Sequence, residues 1–403
     1  MHVIIIHQAF ATIDEAGGTR HFEFARYLAG QGHRITVIAS AFSYLTGRPV
    51  ASSLETAHPG ISVIRTRVSV KLHKSFLHRF IAYLEFTFMA LWRGCRVRKP
   101  DIVLGTSPPL FQGLAAWGIA RVKRVPFVFE VRDLWPDFAV QLGVVRNRIA
   151  IALARLLERR LYRAADRLIV NSPGFVPHVR KVSGRNPVVI PNGVDPAMFD
   201  SPSTKRRVRE EWQAGERFVV LYAGAHGIAN DLDCLLDAAA LLRSSADILL
   251  VLVGDGKEKP RLQDRVRNEG LDNVAFMPAQ PKTRMTEVLE SADACVAILR
   301  DIPMFGTTYP NKVFDYMAAG KPLVLAIGGV ARDLVEAAGS GLCVPPGNSG
   351  AIADAVRALS RDRNLAREMG ARGRSYVCRH FDRREQAKLL ENLFTTCVSK
   401  TDV

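Results

Sequence analysis

Close cysteine pairs are missing from this 403-residue chain. Its six cysteines, Cys95, Cys234, Cys295, Cys343, Cys378 and Cys397, stand far apart and form no C-x-x-C. That spacing offers no zinc clip and suits buried thiols in a reducing compartment. No run of about 18 uncharged apolar residues occurs, so no segment is expected to span a bilayer as a helix. Met1-His2-Val3 passes straight into an apolar run, without the basic stretch and cleavage site of a secretory leader. No spacing suits a cysteine nucleophile or a Ser-His-Asp arrangement. Apolar residues nevertheless make up 48% of the chain, ample for large cores.

Acidic residues are scarce in one half. Residues 1–195 hold 27 Lys and Arg against 12 Asp and Glu, whereas the remainder holds 28 against 27. The net charge of +16 therefore sits almost wholly in the first half. Its densest part runs from Arg65 to Lys99, where Arg65, Arg67, Lys71, Lys74, Arg79, Arg93, Arg96, Arg98 and Lys99 face one acid, Glu85. Between them Phe76 to Trp92 is rich in Phe, Leu, Ile, Met and Trp. A basic, aromatic-laced helix of this kind suits docking on an anionic membrane surface. A helix packed on its domain with a solvated basic rim is the other reading. Nucleic acid is not expected as a partner, because no helix-turn-helix, zinc finger or aromatic RNA-reading strand accompanies the charge.

Short apolar runs alternate with helical patterns along the whole length. Strands are expected at Val3 to Ile6, Arg34 to Ile38, Asp101 to Leu104, Phe127 to Glu130, Leu168 to Asn171 and Val188 to Ile190. After a charged linker, Ser201 to Gln213, a second series follows at Phe218 to Tyr222, Ile248 to Val253, Val274 to Met277, Ala294 to Ile298 and Leu323 to Ile327. Alternation of this sort predicts parallel sheets covered by helices, and the length suits two domains. Gly17-Gly18, between the first strand and its helix, is where backbone can approach an anion closely; an ordinary tight turn reads equally well.

The most specific stretch is Thr308 to Pro322, T-Y-P-N-K-V-F-D-Y-M-A-A-G-K-P. A polar loop feeds a short helix, Val313 to Ala319, with Asp315 about one turn in and Gly320 at its end. Loop N–H groups of this kind suit a diphosphate, and the acid can accept both hydroxyls of a ribose. The segment resembles the nucleotide-sugar site of retaining glycosyltransferases of the GT-B fold, glycosyltransferase family 4. The family pattern is Glu, seven residues, Glu, then a small-residue helix end and Gly-x-Pro. Asp315 stands at the second Glu and Thr307 at the first. The resemblance covers nearly the whole chain. It includes I-P-N-G-V-D at Ile190 to Asp195, where the family has its interdomain hinge, V-G-D-G at Val253 to Gly256, S-A-D-A at Ser291 to Ala294 and S-G-L-C-V-P-P-G at Ser340 to Gly347.

The resemblance implies an α/β GT-B architecture, two Rossmann-like domains facing each other across a cleft. Residues 1–197 would bind the acceptor and 198–382 the nucleotide sugar, with a last helix of about 383–403 packing back onto the first domain. It also implies a retaining sugar transfer from a nucleoside diphosphate donor, with UDP preferred. Bacterial O-antigen and capsule transferases, including N-acetyl-fucosamine-type members, are similar. Because a lipid-borne diphosphate would be drawn to basic patches at a membrane face, we expect a polyprenyl-diphosphate-linked acceptor, and an enzyme in the cytoplasm attached peripherally to the inner face of the cell membrane. A nucleotide-sugar epimerase or phosphorylase on the same scaffold, or a binding protein with a decayed site, are the alternatives.

By this resemblance Asp315 would accept the ribose diol, and Lys312 would sit against a phosphate. Tyr309, Pro310 and Asn311 would form the loop around phosphate or sugar. Where relatives carry an arginine and a lysine after the first strand of the second domain, this chain has Ala225 and Asn230. Gly224, His226 and Gly227 would then cradle phosphate as a backbone nest, with Gly254 of V-G-D-G close by. In the first domain Arg132-Asp133, at a strand's carboxyl end, stands where many relatives have His-Asp. Arg132 suits a phosphate or oxyanion, and Asp133 the acceptor hydroxyl or Arg132 itself; a structural pair with Trp135 capping the core reads nearly as well. No metal or other cofactor is expected. Asp231-Leu232-Asp233 spells D-x-D, but opens a helical run where acids favour the positive helix end.

Overall fold

The computed structural model describes residues 1–15, 17–42, 58–67, 76–200 and 205–399. Lys71 and Lys74 of the basic stretch lie outside them. The chain divides into two compact units. One comprises Met1–Thr12, Gly17–Pro191 and Arg383–Val403, the other Ile13–Ala16 and Asn192–Asp382. Each unit is built on an open, all-parallel sheet.

The first sheet contains β1 (His2–Ile6), β2 (Arg34–Ser40), β3 (Ile61–Thr66), β4 (Ile102–Ser107), β5 (Phe127–Val131), β6 (Arg167–Val170) and β7 (Val188–Val189). Their order is β3-β2-β1-β4-β5-β6-β7. Every residue of β1, β4 and β5 is buried, as the largely apolar strands of a doubly covered parallel sheet should be. Strand order reverses between β1 and β4, so the loops leaving these neighbours diverge and open a crevice at their carboxyl ends. The Arg383–Ser399 helix belongs to this unit. Arg383 pairs with Glu23 at 3.2 Å, and His33 meets Glu391 at 2.8 Å.

The second sheet contains β8 (Phe218–Ala223), β9 (Ile248–Val253), β10 (Val274–Met277), β11 (Ala294–Ile298), β12 (Leu323–Ala326) and β13 (Gly341–Cys343), ordered β10-β9-β8-β11-β12-β13. Alternate residues feed two apolar clusters. Val219 and Leu221 join one with Phe314 and Met317, while Phe218, Val220 and Tyr222 join the other with Leu236 and Val356. Strand order reverses here between β8 and β11.

Two strands were not anticipated. Ile61–Thr66 is a half-buried edge strand of mixed polarity, and Gly341–Cys343 is only three residues long. The supposed linker also needs correction, because Lys205–Glu211 is a helix. Val208 and Trp212 anchor it in the core, and Arg209 caps the carbonyls of Ser291, Gly215 and Arg217. Of the cysteines, Cys234, Cys295 and Cys397 are buried and the other three half-buried. Among the described residues no helix is long and apolar enough to cross a membrane.

Candidate active site

In the second unit, β8 ends on a glycine loop that is locked to its neighbour. The Gly224 N–H donates to Val253 O at 3.0 Å and the His226 N–H to Asp255 O at 2.8 Å. A Cβ at Gly254 would lie 1.9 Å from Gly224 O, and one at Gly256 2.4 Å from His226 O. Only glycines allow the two loops to close so tightly. Lys259 completes the lock, its ammonium donating to Gly254 O at 2.7 Å and Met277 O at 2.9 Å.

This packing corrects the nest reading. Two of the N–H groups it needed, on Gly224 and His226, are engaged within the loops. Gly254 donates to Met277 O and accepts from Lys259, so it fixes the loop rather than facing a ligand. His226 is fully buried against the rings of Tyr222 and Phe276, and neither ring nitrogen has a hydrogen-bond partner among the described residues. Burial first, then Lys259 and Lys312, pull its pKa down to about 4, so it is a neutral packing group. Gly227 starts the turn that positions Asn230, whose N–H donates to Gly227 O at 3.0 Å.

The cation comes instead from Lys312, in the first turn of the Asn311–Ala318 helix. Its ammonium stands 4.0 Å from the centre of the Tyr222 ring and 3.4 Å from Asn230 Oδ1. A Cβ on Gly224 would come within 2.9 Å of it. No carboxylate pairs with it among the described residues, and burial lowers its pKa to about 7. Asn230 thus stands where a family lysine was expected and receives Lys312 from another element. A desolvated ammonium beside a helix N-terminus is chemically suited to an anion.

Asp315, one turn further along the same helix, has a partner the sequence did not suggest. Lys282, at the start of the Lys282–Glu290 helix, donates to Asp315 Oδ1 at 2.5 Å, with both side chains largely buried. Nothing in the pattern links residues 33 apart. Tyr309 packs edge-on against Phe314 and Phe381, and its carbonyl accepts from Asn192 Nδ2 at 2.9 Å. Pro310 accepts from the Val313 N–H and opens the helix. The Asn311 side-chain oxygen is buried without a hydrogen-bond partner among the described residues. Of the two D-x-D acids, one is held by arginines and the other stands at a helix start. Asp233 is bound by Arg261 at 2.5 Å and Arg265 at 3.1 Å, and Asp231 takes φ 45° before the Leu232–Leu241 helix. Among the described residues no cluster of His, Cys, Asp and Glu is arranged to hold a metal.

In the first unit, the β1/β4 switch point collects a buried polar group. His7, just past β1, shares a 2.8 Å hydrogen bond with Thr106 Oγ1, and its Nε2 lies 3.4 Å from an Arg132 guanidinium nitrogen. Its ring is 4.1 Å from that of His21. Glu130, on β5, accepts from Arg20 Nε at 3.0 Å and pairs with His21 Nε2 at 2.5 Å. Arg20 also donates to the carbonyls of Ile190 and Pro191. Burial alone would raise Glu130, but Arg20, His21 and Arg132 outweigh it and hold the carboxyl well below its ordinary range. Burial drives both histidines the other way, His21 to about 4, leaving them neutral. Asp133, beside this group, is raised to about 6 by burial against the pull of Arg132. Gly17 and Gly18 are exposed, and a Cβ on Gly17 would come within 2.9 Å of Ala11 Cβ.

Two family models account for nearly the whole chain. "Glycosyltransferase Family 4" matches residues 17–198, and "Glycosyl transferases group 1" matches residues 204–376. The chain is a family 4 glycosyltransferase of the GT-B fold. It is similar to the putative colanic acid biosynthesis glycosyl transferase WcaI of Escherichia coli, at 23% identity over 87% of this chain and 90% of that protein. It is also similar to a GDP-mannose-dependent alpha-mannosyltransferase of Mycobacterium tuberculosis, at 27% identity over 87% of each. Among solved structures, Anabaena HepE in complex with UDP superposes with a TM-score of 0.74, at 18% identity over 98% of this chain and 100% of that one.

In this glycosyltransferase, then, the sequence alone singled out Lys312, Asp315, Arg132 and Asp133, and tertiary packing adds Lys282, Lys259, His7, His21, Glu130 and Arg20 around them. His7 and Arg20 had one available signal, their place just after β1 and beside Gly17-Gly18. Glu130 was visible as an acid inside an apolar strand, a position that demands a buried cation.

Proposed function

We propose that the enzyme transfers a sugar, with retention at the anomeric carbon, from a nucleoside diphosphate donor to a membrane-held acceptor in bacterial surface-polysaccharide synthesis. The desolvated Lys312 ammonium beside a helix N-terminus, with no carboxylate partner among the described residues, carries the reading, since a diphosphate would supply an anion there. UDP is the proposed base carrier, in line with HepE, whose structure holds UDP; the mannosyltransferase relative is named for GDP-mannose. WcaI is named for colanic acid biosynthesis, which supports the polysaccharide setting. The acceptor is proposed to be a polyprenyl-diphosphate-linked sugar, drawn by the cationic first unit. Residues 65–99 would dock on the inner face of the cell membrane, where the Phe76–Arg96 helix exposes Phe88 and Trp92, with Arg93 and Arg96 against the Trp92 ring.

In this mechanism the donor's C–O bond to phosphate breaks and the acceptor oxygen attacks from the same face. A leaving phosphate oxygen takes the acceptor proton. Lys312 and the first turn of the Asn311–Ala318 helix stabilise the charge that grows on the diphosphate. Arg132 holds a phosphate of the acceptor, and Asp133 orients its hydroxyl. Because Arg261 and Arg265 already neutralise Asp233, the reaction is proposed to need no metal, and turnover in EDTA should equal turnover with added magnesium or manganese. A thermal-shift screen over nucleoside diphosphates, followed by donor turnover with and without acceptor, tests the whole reading. Stabilisation by UDP with acceptor-dependent turnover is expected. Donor conversion without any acceptor would mean epimerisation.

Lys282 is assigned a positioning role in this scheme. Its ammonium fixes Asp315 so that the carboxylate meets the ribose diol. Lys282→Met is expected to weaken UDP binding about tenfold, in line with loss of one charged hydrogen bond. Calorimetric titration with UDP and with 2′,3′-dideoxy-UDP checks it, because the variant should also lose the preference for the diol. Full retention of that preference would remove Lys282 from donor binding.

A further inference from the structure

Exposed apolar side chains are concentrated on one side of the first unit. Among the described residues fourteen large apolar side chains are exposed. Ten of them lie on the Phe76–Arg96 helix, at Val122 of the Leu110–Lys123 helix, or between Val144 and Leu156. Scattered exposure would need no explanation; this concentration does. The three helices concerned, Phe76–Arg96, Leu110–Lys123 and Arg148–Ala164, pack in sequence side by side, with the rings of Phe80 and Phe111 in contact at 5.4 Å.

The Arg148–Ala164 helix is the unexpected member. Its C-terminal half is anchored through buried Leu161 and Tyr162, but its first two turns project. Ile149 is 72% exposed and Leu153 62%, more than any apolar side chain on the Phe76–Arg96 helix except Phe88 at 68%. The same helix carries Arg148, Arg155, Arg159, Arg160 and Arg163, all exposed. The helix has one acid, Glu158, which is buried and bound to His178 at 2.7 Å; Arg155 is tied to Asp137 at 2.9 Å. Over the three helices together the sequence has ten Lys and Arg and two Asp and Glu.

We infer that the Arg148–Ala164 helix is a second membrane-docking element, inserting Ile149 and Leu153 among the acyl chains while its arginines bind anionic headgroups. Exposed apolar tips on a helix whose exposed charges are all cationic match an anionic lipid surface, where a soluble protein partner would more commonly be met by charges of both signs. Topology gives the element a purpose. In a parallel sheet each returning helix begins at the carboxyl end of the strand before it, so Ile149 and Leu153 lie at the same end of the unit as Arg132 and Asp133. Docking through this helix sets the acceptor-binding residues next to the headgroup layer, within reach of a lipid-linked diphosphate.

The inference rests on the docking part of the proposed function, and its test separates the two. Flotation with vesicles of equal parts phosphatidylglycerol and phosphatidylcholine is compared for the wild type, Ile149→Asp/Leu153→Asp, Phe88→Asp/Trp92→Asp and Leu389→Asp. The 149/153 variant should bind at least about tenfold more weakly, and the Leu389 control, exposed on another helix, should bind as the wild type does. Unchanged melting curves would show that all variants fold. Wild-type binding by the 149/153 variant, with loss in the 88/92 variant, leaves docking standing and overturns this helix's part. No vesicle binding by the wild type overturns both, while nucleotide binding still decides the transferase reading. A dimer in sedimentation velocity that the 149/153 substitutions dissolve would make the surface a self-association face and overturn the lipid assignment.

Discussion

Lys312→Ala should lower turnover by about a hundred- to a thousandfold, the usual effect of removing one donor aimed at developing charge. Stability should not follow. The ammonium is desolvated and has no carboxylate partner among the described residues, so its removal leaves the melting temperature unchanged or higher. The pKa of about 7 gives the prediction a sign in pH. Below pH 7 the free enzyme already holds the proton and the diphosphate meets a cation. Above it the lysine is neutral, so binding must take up a proton and affinity falls as pH rises. Titrations at pH 8 in buffers of different ionisation heat should show this uptake in the wild type and its loss in Lys312→Ala.

Glu130→Ala should be the most destabilising single change in the first unit, costing about 3–5 kcal/mol, because it strips a buried pair of one partner. Arg20 would remain wholly buried, with the Ile190 and Pro191 carbonyls and the Phe24 ring beside it but no carboxylate to balance its charge. The size of the effect should depend on pH. The Glu130 carboxyl is depressed in the folded state, so its contribution is complete above its unfolded value near 4.5 and is lost as pH falls through the folded value. The gap between wild type and variant, measured by urea melts, should be full at pH 7 and close in acid. His21 adds a separate window. Its pKa falls from 6.5 unfolded to about 4 folded, so stability present above pH 6.5 drains away as pH falls toward 4. A gap that stayed constant into strong acid would mean that Glu130 is not the charged member of the group.

Most of the fold could be read from runs of residues. β9 and β11 coincide with Ile248 to Val253 and Ala294 to Ile298, because a strand buried on both faces must be apolar throughout, and the half-buried edge strand β10 coincides with the apolar run Val274 to Met277. The edge strand Ile61–Thr66 has no such pressure on its open face, and the Lys205–Glu211 helix hides its two core residues among charges. The site divides in the same way. Lys312 and Asp315 share one short segment and were legible as a local pattern. Lys282 against Asp315, Lys312 against Asn230 and Glu130 against Arg20 join positions 33, 82 and 110 residues apart, and only tertiary packing brings them together. His226 shows the opposite error. A histidine between glycines looks like a ligand contact, yet the closeness those glycines permit is what buries it.

The central claim is that Lys312 grips the second phosphate of a nucleotide held by the second unit. Calorimetric titration of UDP and UMP into wild type and Lys312→Ala tests it most directly. The account predicts that wild type binds UDP at least about tenfold more tightly than UMP, a margin typical of a charge-assisted contact, and that the variant binds the two alike. An undiminished preference for UDP in Lys312→Ala would contradict it.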